Sequence, residues 1–416
     1  MSNPESRSSF GRLATWMGAG AGLVVGLWIA THRVPWLGPL LADGLRAVVG
    51  AEAVSELEDQ AYGVQDTVLR WWWSGKQPKA KWEVPATDEA LELPIVDLGR
   101  CSLDPFRPKN VGPVNEAWSA PGDGQWVAMA DPRHGQDTPR LYKTLLHPDP
   151  KRSWATVSVV AADLRQVGVH LVAGRAEPKS ETEEAKGYVR EALVPPQHLD
   201  ALLAAFNGGF KAEHGHYGMR TDGVTFVPGR SLACVVVGTR DGKVRIGDWD
   251  TMKDVASRAA WWRQTPSCMV QQGELHDGLR VDGNTHWGAT VDGRTVIRRS
   301  AVGVSRDGRT LYVGIGDHTT ARAIALAMKH AGSEAVAQLD VNWSYPKLVT
   351  YAPRKETGVL IARPLAEGIE ASEDEYVRER APRDFFYLTR MGAEKVASRA
   401  CGTEEARLDL DDAPEG

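Results

Sequence analysis

Between Asn207 and Gly218 the chain reads NGGFKAEHGHYG, directly after the apolar run LDALLAAF. Asn207, Gly208 and Gly209 form a conformationally permissive stretch whose backbone amides can approach an anion as a nest, although a plain turn asks for the same residues. Arg220, Arg298 and Arg299 supply guanidinium groups for a bidentate grip on phosphate or carboxylate, or else are solvated surface cations. His214 and His216 stand two apart, so in extended chain both face one side. Zinc asks for a third and usually a fourth ligand, for which Glu213, Asp222 and His318 are the nominees, and no recognised zinc spacing joins them. The pair therefore reads as a weak metal site, as a hydrogen-bonding or acid/base site, or as ordinary loop polarity. The cofactor expectation is none certain, with a divalent cation as the open possibility.

A second group of polar residues lies downstream. Asp317 and His318 end the run LYVGIG, and Asp340, Asn342, Ser344 and Tyr345 follow the run AVAQL. If these are adjacent strand ends, Asp317 and Asp340 share one crevice. Cleaving an acetal-like bond needs a protonated group for the leaving oxygen and a second group for water or for the sugar carbon, a task carboxylate pairs perform. The plainer alternative makes Asp317 a helix cap and Asp340 a turn residue.

The elements that must position these residues are short strands. WATVSVVAADL, QVGVHLVAG, GVTFV, LACVVVGT, KVRIGDW, TVIRRSAVGVS, TLYVGIG and RDFFYLTR are alternating or continuously apolar runs bounded by turn residues. Asp-Gly pairs at Asp222, Asp241, Asp277, Asp282, Asp292 and Asp307 supply tight reversals. TTARAIALAMKHAG reads as a helix capped by Thr319 or Thr320 and ended by Gly332, with the strand AVAQLD next. Pro195 and Pro196 are expected to open a short helix through LDALLAAF. The fold class is α+β (mixed α/β): a hairpin-rich β-sheet domain with a few packed helices.

The whole chain sets the outer limits. Its 416 residues carry a net charge of -5 and lack any large basic block, so no nucleic-acid partner is expected. Leu13–Ala30 is an uncharged run of 18 residues preceded by Arg7 and Arg12, the pattern of a membrane anchor with an exported remainder or of a cleaved signal segment. Residues 1–34 are read as tail and anchor, and 35–125 as a juxtamembrane helix and wrapping connector. Residues 126–395 form the main domain, and 396–416 an acidic tail. The Trp71–Trp73 cluster is expected to pack on the main domain, with the membrane surface as its alternative. Four cysteines allow three pairings, with buried thiols as the alternative.

With these segments in place, AAFNGGF, RRSAVGVSRDGRTLYVGIGD, TTARAIALAMKHAG and AVAQLD, in that order over about Trp126 to Pro364, make the chain resemble the phosphodiester glycosidase family, related to the lysosomal enzyme that uncovers mannose 6-phosphate. The resemblance implies a hydrolase cleaving a sugar phosphodiester or related glycan linkage in an exported or membrane-linked protein. Its active-site region would contain Asn207, Gly208, Gly209 and Arg299 holding the anionic group, with Asp340 and Asp317 as acid/base or nucleophile. His216 is the second-choice proton carrier. The chain departs from the family in VNWSYP, Val341–Pro346, where the family has a glycine-rich turn similar to GGGSS, and in Ser300 where it has threonine. Val341 and Trp343 bring bulk to that place, which either closes the pocket or reshapes it, with Asn342, Trp343 and Tyr345 as sugar contacts. The alternative function is a noncatalytic glycan- or envelope-binding protein on the same fold.

Overall fold

The apolar runs become strands, all of them paired antiparallel, in three large sheets and one small hairpin. A computed structural model describes residues 63–84, 95–99, 101–135, 137–280, 287, 296–341, 345–366 and 368–401. They belong to one unit, Tyr62–Gly416. An eight-stranded sheet is centred on Ile297–Val304, flanked by Thr310–Thr319 on one side and Ala335–Val341 on the other. One five-stranded sheet is centred on Leu202–Asn207, between Leu348–Pro353 and Phe385–Arg390. The other holds Met219–Thr221, Val224–Val227, Cys234–Gly238, Val244–Asp248 and Trp261–Thr265. The fold is α+β, as expected.

The main core contains side chains from all three sheets: Val160 and Val313 of the first, Phe206 and Phe386 of the second, Val236 and Trp261 of the third. The outer face of the eight-stranded sheet is covered by the helix Ala321–His330, which buries Ile324, Ala325 and Met328. Thr320 caps that helix by accepting from the Ala323 amide, and Gly332 follows it at φ +113°. The helix carries the chain from Thr310–Thr319 to Ala335–Val341, which are not neighbours, because Ile297–Val304 runs between them. At the Asp222-Gly223 reversal both residues have positive φ, the requirement of the two-residue turn joining Met219–Thr221 to Val224–Val227.

Two expectations about elements are corrected. Only Pro196–Ala201 forms a 3-10 turn, and LLAAFN is a strand whose six residues are all buried. A strand buried on both faces loses its alternation, so its continuous apolar run imitates one turn after another of buried helix. Helix 63–73 is present, but Trp71 is 75% and Trp72 58% exposed, so neither packs into the core.

All four cysteines are bridged, Cys101 to Cys401 and Cys234 to Cys268. The first ties the hairpin Val96–Asp97/Ser102–Leu103 to the C-terminal helix Ala393–Ala400, where Leu103, Met391 and Val396 form a small cluster. Such bridges persist in an oxidising, extracytoplasmic compartment. Among the described residues no helix is long and apolar enough to cross a membrane. The Leu13–Ala30 run, Asp282, Asp292, Asn342, Trp343, Ser344 and the acidic tail after Cys401 lie outside the described residues.

Candidate functional site

The Asn-Gly-Gly turn leaves the end of Leu202–Asn207 and meets Asp384, the residue preceding the strand Phe385–Arg390. The Gly208 amide donates to the Asp384 carbonyl at 2.8 Å, and the Gly209 amide to its Oδ2 at 2.9 Å. The Gly209 amide thus holds an internal carboxylate and the Gly208 amide a backbone carbonyl, which corrects the expectation that they face a substrate phosphate. Asp384 in turn takes Arg263 Nε at 2.9 Å and Nη2 at 3.1 Å, a fully buried bidentate pair. Arg263 also donates to the carbonyls of Phe210 and Tyr217, so one ion pair fixes both ends of the segment. The glycines are demanded by this close approach. A Cβ on Gly208 would lie 2.0 Å from Asp384 Oδ2, and one on Gly209 2.7 Å from Arg263 Cζ.

Asn207 is similarly committed. Its Nδ2 donates to Ser300 Oγ and to the Gly208 carbonyl, and its Oδ1 accepts from the Lys347 amide. Ser300 Oγ donates to the Asp340 carbonyl, and the Asp340 amide donates to the Gly208 carbonyl. Asn207 and Ser300 thus bind the turn to the Asp340 strand end, and Asn207 contributes to the site by positioning.

Asp340 itself is 2% exposed. Its Oδ2 pairs with Arg383 Nη1, and its Oδ1 accepts from the Val341 amide at 2.9 Å. Burial pushes its carboxyl above the ordinary value, against the opposing charge of Arg383. The Arg383 guanidinium carbon lies 3.3 Å from the centre of the Tyr345 ring, and its buried Nε has no hydrogen-bond partner. His214, about half exposed, lies 3.7 Å from Glu213 Oε1 and within range of the Asp340 charge. Partial burial draws its imidazole below the ordinary value, opposed by Asp340 and Glu213. Asp340, Arg383 and Tyr345 thus gather where the Asn-Gly-Gly turn meets the strand end, within range of the charge on His214.

The other expected residues go elsewhere. Asp317 is not beside Asp340, because Arg299 pairs with Gly316 on one side and with Val341 on the other, which puts the two carrying strands about 10 Å apart. Asp317 pairs with buried Arg298 at 3.2 Å, and Arg298 also donates to the Gly368 carbonyl. Arg299 is fully buried and donates to the carbonyls of Trp287 and Thr319 and to Gln338 Oε1, with burial pulling it down to about 10. It belongs to the interior rather than to a substrate surface, so the expected grip on phosphate is corrected. Arg220 donates to the Ser257 carbonyl.

His216 also turns away, its Nδ1 3.0 Å from Glu181 Oε1 and its backbone at φ +49°. His318 lies beside Asp317 and Gln65. The three histidines are therefore dispersed, and among the described residues no group of three or more His, Cys, Asp or Glu side chains is arranged to hold a metal.

Sequence reasoning missed Arg383, Asp384 and Arg263. The signal was present for two of them: an Arg-Asp pair opens RDFFYLTR, where strand-start polar residues can turn into a site. Arg263 sits inside WWRQT, all of it buried, and only the partner 121 residues away explains it.

No family model matches the chain, and no curated protein is similar to it. Among solved structures, a hypothetical protein from Synechocystis matches 62% of this chain at 10% identity with a TM-score of 0.31. That match covers 65% of the Synechocystis chain, under two thirds of its length. A "Putative exported protein" from Burkholderia pseudomallei K96243 matches 56% of this chain and 74% of its own, at 12% identity and a TM-score of 0.28. Likenesses this distant carry no argument about the site.

Proposed function

We propose that the chain is a hydrolase of sugar phosphodiesters or related glycan linkages, working at an extracytoplasmic membrane surface to which Leu13–Ala30 anchors it. The observation that carries this reading is the buried Asp340–Arg383 pair, stacked on Tyr345 and electrostatically coupled to half-exposed His214. Environments that push an acid up and a base down assign the two roles in hydrolysis. Asp340, raised by burial, delivers its proton to the bridging oxygen as the sugar carbon–oxygen bond breaks. His214, drawn down, takes a proton from the water that forms the new bond at that carbon. Arg383 holds the phosphate through its terminal guanidinium donors, and Tyr345 offers the sugar a ring edge.

This differs from the sequence expectation in replacing Arg299 by Arg383 and the Asp317 and His216 roles by His214. The test is a panel of sugar phosphodiesters presented to the full chain, with chelator and with added divalent cations. Sugar release that is lost in Asp340→Asn supports the reading. Retention of a glycan with no release from any substrate supports the noncatalytic binding protein instead.

A further inference from the structure

Helix 63–73 is inside out. Val64, Val68, Trp71 and Trp72 are 66%, 55%, 75% and 58% exposed. Their spacing of i, i+4, i+7 and i+8 puts all four on one helical stripe. On the opposite side Asp66 is buried and bound by Arg152 through Nε at 2.6 Å and Nη2 at 2.8 Å. The salt bridge clamps the helix so that its charged residue faces inward and its largest apolar side chains face outward. Four large apolar groups on a clamped helix form an interaction surface rather than scattered exposed residues.

The surroundings identify what covers it. Between Gly63 and Val84 stand Arg70, Lys76, Lys79 and Lys81, against Asp66 and Glu83, and Asp66 is paired with both Arg152 and Arg70. The segment is therefore cationic in a chain whose net charge is -5. Lys76 Nζ sits 4.0 Å from the centre of the Trp72 ring, so charge and indole share the same patch. Exposed indoles beside lysines match an anionic lipid surface, where the ring enters the headgroup boundary and the ammonium stays at the phosphates.

We infer that the Val64, Val68, Trp71 and Trp72 face lies on an anionic lipid bilayer, holding the folded unit against the membrane surface. The inference uses the anchor reading for access to a bilayer and does not depend on the proposed activity.

The test places a probe on the patch. All four native cysteines are paired, so Trp72→Cys in the full chain introduces one labelling site for an environment-sensitive fluorophore. Val68→Cys serves as a second site should that variant misfold. Val189→Cys, at 74% exposure, is the control position. In vesicles of phosphatidylcholine and phosphatidylglycerol, lipid spin labels quench positions 72 and 68 about twofold or more beyond position 189, as for a probe ~5–10 Å into the headgroup boundary. The difference shrinks as phosphatidylglycerol is removed or salt is raised. Equal quenching at all three positions overturns the inference. Shielding of the probe from iodide before vesicles are added also overturns it, pointing to residues 1–62 when independent of concentration and to a second copy when dependent on it. If the full chain fails to float with vesicles, the anchor reading falls by itself, and quenching by vesicles added from outside still decides the patch.

Discussion

Asp384→Asn is expected to loosen the candidate site from beneath. The substitution leaves an acceptor for the Gly209 amide but strands the Arg263 guanidinium in a fully buried position, where its ionic partner sits at 2.9 and 3.1 Å. Removing one member of such a pair costs about 3–5 kcal/mol. For a unit of roughly 350 residues, with an unfolding entropy of ~2.1 cal/mol/K per residue, this lowers Tm by about 4–7 °C. Arg263→Met exposes the same coupling from the other side, and the double variant is expected to cost about 2 kcal/mol or more below the sum of the singles. Differential scanning calorimetry with the disulfides intact measures all three, and hydrogen exchange at Gly208 and Gly209 reports whether the turn opens with the pair. A Tm loss under about 1 °C for Asp384→Asn, together with additive singles, would refute the claim that this ion pair sets the turn.

Other consequences can be checked separately. The Cys101–Cys401 bridge spans 300 residues and Cys234–Cys268 spans 34. Chain entropy makes the first worth up to about 6 kcal/mol and the second up to about 4, so Cys101→Ser/Cys401→Ser is expected to be the more destabilised pair in denaturant titration. His170 is held down to about 4 by burial, then by His198 and Lys395. Because the unfolded chain binds that proton more readily, the stability is present above about pH 6.5 and lost as pH falls towards 4, by about 2–3 kcal/mol. His170→Phe flattens that loss in a Tm-against-pH series, and an unchanged slope removes His170 as its source. Arg383→Met removes the charge that opposes burial at Asp340, so the alkaline limb of kcat/KM moves to higher pH, while KM for an anionic substrate rises about tenfold or more. A limb that stays in place would show that Asp340 does not set it.

The strands named from their apolar runs, the reversals at Asp222, Asp241 and Asp307 and the helix Ala321–His330 were legible because each depends on local pattern, whereas Asp277 opens a 3-10 turn. The strand LLAAFN was not, since burial on both faces erased the alternation that separates strand from helix. Asn207 and Asp340 meet at one junction, a grouping that only the family resemblance implied. Asp317 was placed wrongly because a strand, helix, strand segment says nothing about the strand inserted between its two ends. Arg299 stood out by charge yet serves the interior, whereas Arg383 and Arg263 acquire meaning only through Asp340 and Asp384, 43 and 121 residues away. Spacing along a chain identifies such candidates, and only long-range pairing chooses among them.

Turnover by the full chain and by Asp340→Asn, on a panel of sugar phosphodiesters with sugar release as the readout, tests the central claim most directly. The native chain is expected to release sugar, and the variant to lose about a hundredfold or more in kcat with KM little changed, because it keeps the shape of the buried carboxyl but has no proton to give. Release at the native rate by Asp340→Asn would contradict it.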